Sequence, residues 1–189
     1  MTHKIAISID IGSHGAWAAF VNDKLSYGIL PYKSDEPDMR ALYDLLLESI
    51  PEIKEYNEPD LDDELRIHVV FEDLHSVFGS SAKSNFSFGV NNGLVIATIQ
   101  ILEFPYTKIA PKKWQKQMWE GIRPIEIPTG KKDKNGNPKY KIDTKATSLI
   151  AAKRLFPNES FLATERSKVP HDGIVDSVLM AEYCRRNFL

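Results

Sequence analysis

A single cysteine, Cys184, in 189 residues leaves no partner for an internal disulfide and rules out a cysteine cage for a metal. Its place in a helix favours a half-buried structural thiol. Long apolar runs are missing too. No stretch approaches the roughly 18 residues a membrane span needs, and Met1-Thr2-His3-Lys4 leads straight into an alternating pattern without a signal-peptide core. These absences predict a soluble cytoplasmic protein with no membrane partner. Repeats and low-complexity tracts are also absent, and the length suits one domain (1–189) able to bury its own core.

Net charge is small as well, at −2, but the mean conceals a segregation. Between Ser34 and Glu64 there are twelve acids against two bases, whereas Lys108 to Lys168 holds fifteen Lys or Arg against six acids. A basic face opposite a solvated acidic edge is what a phosphate-binding protein presents.

Lys4 to Asp10 alternates, with Ile5, Ile7 and Ile9 on one face and Ala6, Ser8 and Asp10 on the other, which predicts a strand. Two further strands (16–21 and 25–30) follow short turns and complete an antiparallel meander. Helical spacing covers Pro37 to Ile50, a charged loop covers 52–64, and Arg66 to Phe71 reads as a strand ending at Glu72. Beyond a Ser, Gly and Phe-rich loop, Phe86 to Leu102 reads as a helix, with Phe86 and Phe88 assigned to the core. A strand at 106–109 and a short helix from Pro111 to Met118 come next. The segment 122–142, with five lysines from Ile122 to Lys141 and an Asn135-Gly136 turn, predicts a mobile basic hairpin. A helix over 143–156 and an apolar helix from Pro170 to Tyr183 close the chain. This order is mixed α/β, one sheet covered by helices.

The acids cluster at element ends. Asp10 and Glu72 stand side by side if the first and fourth strands are neighbours, and Asp172 and Asp176, four apart, share one helical face. Asp172 could equally be an acid favoured by the helix dipole, and Asp176 an ordinary solvated residue. Three or four converging carboxylates without a His/Cys cage suit Mg²⁺ or Mn²⁺, and a pair of such ions activates water for phosphodiester hydrolysis.

The motifs Ile7-Ser8-Ile9-Asp10-Ile11-Gly12-Ser13, Phe71-Glu72-Asp73, Phe88-Gly89-Val90-Asn91-Asn92-Gly93, Pro111-Lys112-Lys113-Trp114 and Pro170-His171-Asp172-Gly173-Ile174-Val175-Asp176-Ser177 together resemble RuvC-type Holliday junction resolvases, in particular their phage and viral branch. The resemblance implies an RNase H-like fold, with three antiparallel strands and then parallel strands in a mixed five-stranded sheet flanked by helices. It further implies a homodimer that nicks four-way DNA junctions symmetrically with Mg²⁺ or Mn²⁺, two ions per site, and no nucleotide cofactor. If the chain is phage-encoded, its compartment is the host cytoplasm. By motif match, Asp10, Glu72, Asp172 and Asp176 are the metal-binding catalytic residues. The family often places the partner acid three residues before the last Asp; here that position is Gly173, with Asp172 four before and His171 five before.

The same resemblance makes Phe78 the candidate to wedge between bases at the junction centre, against the plainer reading of a loop anchor. Lys112, Lys113, Lys116, Arg123, Lys131, Lys132 and Lys168 are candidate phosphate contacts. His171 is a candidate metal or phosphate contact and His75 a candidate proton-transfer group, while Trp114 and Trp119 fit packing better than base stacking. Three other readings compete: a related nuclease for flaps, other branched DNA or RNA–DNA hybrids; a non-catalytic binding module; and an actin-like or sugar-kinase-like phosphotransferase. The last shares the Asp10-Ile11-Gly12-Ser13 turn but needs a second lobe and a second glycine-rich phosphate loop.

Overall fold

The structure, a computed structural model, describes residues 3–12, 15–34, 36–49, 65–73 and 81–189. It opens with β1 (His3–Asp10), β2 (Ala16–Val21) and β3 (Lys24–Ile29), an antiparallel meander. A small pair, β4 (Tyr32–Lys33) and β5 (Glu36–Pro37), leads into α1 (Met39–Ser49). Then come β6 (Leu65–Glu72), α2 (Ala82–Ile101), β7 (Tyr106–Ile109) and α3 (Pro111–Met118). The chain ends with β8 (Glu126–Lys132), β9 (Pro138–Ile142), α4 (Thr144–Leu155) and α5 (Asp172–Phe188).

The main sheet has the order β3-β2-β1-β6-β7, with β6 parallel to both β1 and β7. This is the mixed five-stranded sheet of the RNase H-like fold that the resemblance implies, within the mixed α/β class that the order of elements predicts. Its register follows from the pleat. Ile5, Ile7 and Ile9 are fully buried against Leu42 and Leu46 of α1 and Val95 and Ile99 of α2, each worth about 1.5–3 kcal/mol. A one-residue slip would turn all three away from that core, so the opposite face is fixed too. That face carries Ala6 and Ser8, and it packs on α5.

Small residues let the helix come close. Gly173, Ser177 and Ala181, four apart and all buried, form one stripe of α5, and Ser8 Oγ donates to the Ser177 carbonyl at 2.5 Å. Among the described residues no helix is long and apolar enough to cross a membrane.

Two expectations shift. α2 begins at Ala82, not Phe86, because Ser81 caps it: Ser81 Oγ accepts from Ser84 N at 3.1 Å, an interaction worth about 1 kcal/mol. Phe86 is then 74% exposed rather than in the core, since nine residues separate it from the buried Val95 and so put it half a turn away; Phe88 is half-buried. The apolar residues of α2 are spread almost evenly round the helix, so their spacing marks no buried side. Phe78, His75 and the charged loop 52–64 lie outside the described residues.

Candidate metal centre

β1 and β6 run parallel with Ile9 opposite Phe71, so the next residues, Asp10 and Glu72, end adjacent strands at the same level. Alternation puts Asp10 on the face of Ala6 and Ser8, and Glu72 on that of Val70, the side α5 covers. α5 brings Asp176 to both. Its first turn is set by His171, whose Nδ1 accepts from Ile174 N at 3.4 Å, so that ring nitrogen caps the helix. Asp10, Gly12, Lys145, Asp172 and Asp176 line one cleft of about 520 Å³ with the Pro170–His171 turn; Glu72 stands behind it.

The electrostatics tie the acids together. Desolvation, followed by repulsion from Asp176 and Glu72, pushes the Asp10 carboxyl up from 3.8 to about 8, with Lys145 offsetting part of the rise. Asp176 rises to about 7 through desolvation and the charges of Glu72 and Asp172; the Ser148 hydroxyl beside it, outside good hydrogen-bond geometry, pulls the other way. Glu72 is raised by desolvation and lowered by a bond from Trp114. Asp172 differs: half-exposed, it pairs with Lys145 Nζ at 2.5 Å.

Whether these residues fit a hard divalent cation can be tested on the atoms themselves. Asp176 Oδ1 is buried and has no hydrogen-bond partner. A buried acceptor without a partner, close enough to Glu72 and Asp172 to feel their charge, is costly unless a proton or a cation neutralises it. The all-oxygen donor set suits Mg²⁺ or Mn²⁺. Among the described residues no three His, Cys, Asp or Glu side chains yet form a closed metal cage, so the acids would have to draw together around an ion. In chemistry and in the orphaned oxygen, the residues fit.

Lys145 was not foreseen. A cation in the first turn of α4 opposes the helix dipole, and that misfit was the available signal that it serves a partner elsewhere. Trp114, expected to pack, is indeed fully buried, but its Nε1–H also donates to Glu72 Oε1 at 2.8 Å. A buried indole N–H needs an acceptor, and here the acceptor is a site carboxylate. Trp114→Phe keeps most of the packing and removes that donor. The expected cost is about 1–2 kcal/mol in thermal unfolding and roughly a tenfold loss in Mn²⁺ affinity by calorimetry; unchanged Mn²⁺ affinity would mean Trp114 only packs.

The candidate DNA-binding residues Lys112, Lys113, Lys116, Arg123, Lys131, Lys132 and Lys168 are all exposed. On α3 the lysines face outward while Trp114 and Met118 face the core.

Among solved structures, the chain is similar to Thermus thermophilus RuvC in complex with a Holliday junction substrate, with 12% identity and a TM-score of 0.46 over 100% of this chain and 98% of that one. It is also similar to T. thermophilus RuvC alone, at 14% identity and a TM-score of 0.42, covering 98% and 97%. YeaZ from Pseudomonas aeruginosa matches at 11% identity and a TM-score of 0.32 over 75% of this chain and 65% of that one. No protein-family model matches, and no curated protein matches.

Proposed function

We propose that residues 1–189 form one nuclease domain that hydrolyses phosphodiester bonds in four-way DNA junctions with divalent metal ions. The observation that carries this reading is the mutual repulsion of Asp10, Glu72 and Asp176 around a buried oxygen that lacks a partner. The motif resemblance, spread over nearly the whole chain, selects the junction from among possible phosphodiester substrates.

In this mechanism Asp10, Glu72 and Asp176 would hold the ions, and the bond from Trp114 fixes the Glu72 carboxylate. Mg²⁺ or Mn²⁺, when bound, supplies an activated water and stabilises the leaving oxygen. Asp172 stands at the mouth of the cleft, where its bond to Lys145 keeps that ammonium over the site. There the ammonium can meet the charge that builds on the phosphate oxygens. Desolvation keeps Asp10 and Asp176 partly protonated at neutral pH, so cation binding there would release protons.

Paired symmetric nicks call for a homodimer. The outer side of α2 supports one: Phe86 and Ile101 are 74% and 66% exposed, and open space lies above Gly89 and Gly93. With Mg²⁺ or Mn²⁺ the protein is expected to nick a synthetic four-way junction at paired symmetric positions, and sedimentation should give two chains per junction. Equal cleavage of linear duplex, preference for an RNA–DNA hybrid, or cleavage that survives EDTA would overturn this assignment.

A further inference from the structure

The β8–β9 ribbon packs against nothing that explains its composition. All five residues of β9 are exposed, Tyr140 at 58%. From Glu126 to Ile142 the ribbon carries five lysines (131, 132, 134, 139 and 141) against Glu126 and Asp133. One of those acids is turned inward. Asp133 Oδ1 accepts from the N–H groups of Asn135 and Asn137, both at 2.8 Å, and Gly136 N donates to the Asp133 carbonyl. The tip is therefore a hydrogen-bonded turn, with its carboxylate committed to its own backbone.

The strands sort the lysines. In β9, Lys139 and Lys141 share a face, and Ile127 stands opposite Lys141. Thr129 Oγ1 donates to the Lys139 carbonyl at 2.9 Å and accepts from Lys131 N at 3.3 Å, which holds the bulged stretch of β8 beside that face. Lys131, Lys139 and Lys141 thus surround one shallow hollow of about 530 Å³, with Ile127 and Thr129 in its floor. Among the described residues none of the three is in an ion pair. Three like charges held around one hollow repel each other unless an anion with several charges lies across them.

The ribbon's base sits beside the cleft. Asp143 N bonds to the Ile125 carbonyl at 2.7 Å, Ile125 N to Thr147 Oγ1 at 3.0 Å, and Asp143 caps α4, which carries Lys145 into the cleft. Whatever polyanion enters the cleft starts at the foot of the ribbon. We propose that this ribbon is a duplex-gripping arm, in which Lys131, Lys139 and Lys141 take successive backbone phosphates of a DNA arm leading away from the cleavage site. The proposal rests on the nuclease reading and adds to it a second DNA-binding region with its own reach. Lys139 and Lys141, two residues apart on β9, stand about 7 Å apart, about the rise of two base pairs, so with Lys131 they cover a short run of phosphates.

The test uses the full-length protein in EDTA, with fluorescence anisotropy of a four-way junction and of a linear duplex across a salt series. In the combined variant Lys131→Ala/Lys139→Ala/Lys141→Ala, the slope of log affinity against log salt is expected to shrink by about 2–3, at roughly 0.9 for each phosphate no longer neutralised. The Lys→Arg triple should keep the wild-type slope, and an unchanged melting temperature will show that the alanine variant is folded. An unchanged slope, no affinity for DNA, or equal competition by polyglutamate, which would assign an acidic peptide instead, overturns the proposal. The two readings separate cleanly. A wild type that binds with this slope but never nicks would sink the nuclease assignment alone, and nicking with an unaltered slope would sink the arm alone.

Discussion

Asp10→Asn is expected to bind a four-way junction within a few-fold of wild type while nicking it slower by on the order of 10³-fold, about 4 kcal/mol of lost transition-state stabilisation. The substitution keeps the shape of the side chain and removes one charge from the group that would hold the cations. Asp10 is the residue to change because it feels both Asp176 and Glu72, whereas Asp172 is half-exposed and already neutralised by Lys145. Single-turnover nicking on saturated junction, with binding measured in parallel, separates chemistry from affinity. A rate within tenfold of wild type would remove Asp10 from the reaction.

The second large effect is on stability. Without metal, the protein is expected to become less stable as pH rises from about 5 to about 8. Asp10 and Asp176 ionise near 3.8 in an unfolded chain but near 8 and 7 when folded. Within that window the folded chain holds protons that the unfolded chain has released. Each raised group therefore withdraws about 1.4 kcal/mol of stability per pH unit until the pH passes its folded value. The stabilisation is complete below about pH 4 and lost through pH 7–8, a fall on the order of several kcal/mol. Thermal melts in EDTA should show it, Mn²⁺ should reverse it by replacing the protons, and Asp10→Asn should flatten it. A melting temperature in EDTA that stays level from pH 5 to 8 would mean that these acids are neither desolvated nor crowded together.

The parts of this molecule that were legible in the sequence are those governed by strict periodicity. The alternation of Ile5, Ile7 and Ile9 with Ala6, Ser8 and Asp10 gives both β1 and the face on which Asp10 stands. Glu72 could be placed beside it because parallel strands in register align their ends. Side-chain partnerships were not legible, since they join residues far apart in the chain. Lys145 and Asp172 are separated by 27 positions, and Trp114 and Glu72 by 42. α2 misled for another reason: its apolar residues mark no single side, and its N-terminus is closed by Ser81, well ahead of the first phenylalanine of the segment at Phe86. Motif spacing set Asp176 above Asp172, but the physical basis of that difference was out of reach. Both lie on one helical face, and only the depth of α5 against the sheet puts Asp176 inside and leaves Asp172 at the rim with Lys145.

That depth has its own consequence. The bond from Ser8 to the Ser177 carbonyl joins a strand residue two places before Asp10 to a helix residue one place after Asp176. Both serines are buried, and together they gauge the gap between the strand that ends in Asp10 and the helix that carries Asp176. A spacer of this kind demands a donor at position 8 and a small side chain at buried position 177, because an error of about 1 Å between reacting groups can slow a reaction about a hundredfold. Variation at these two serines would therefore register as lost activity in a protein that still folds.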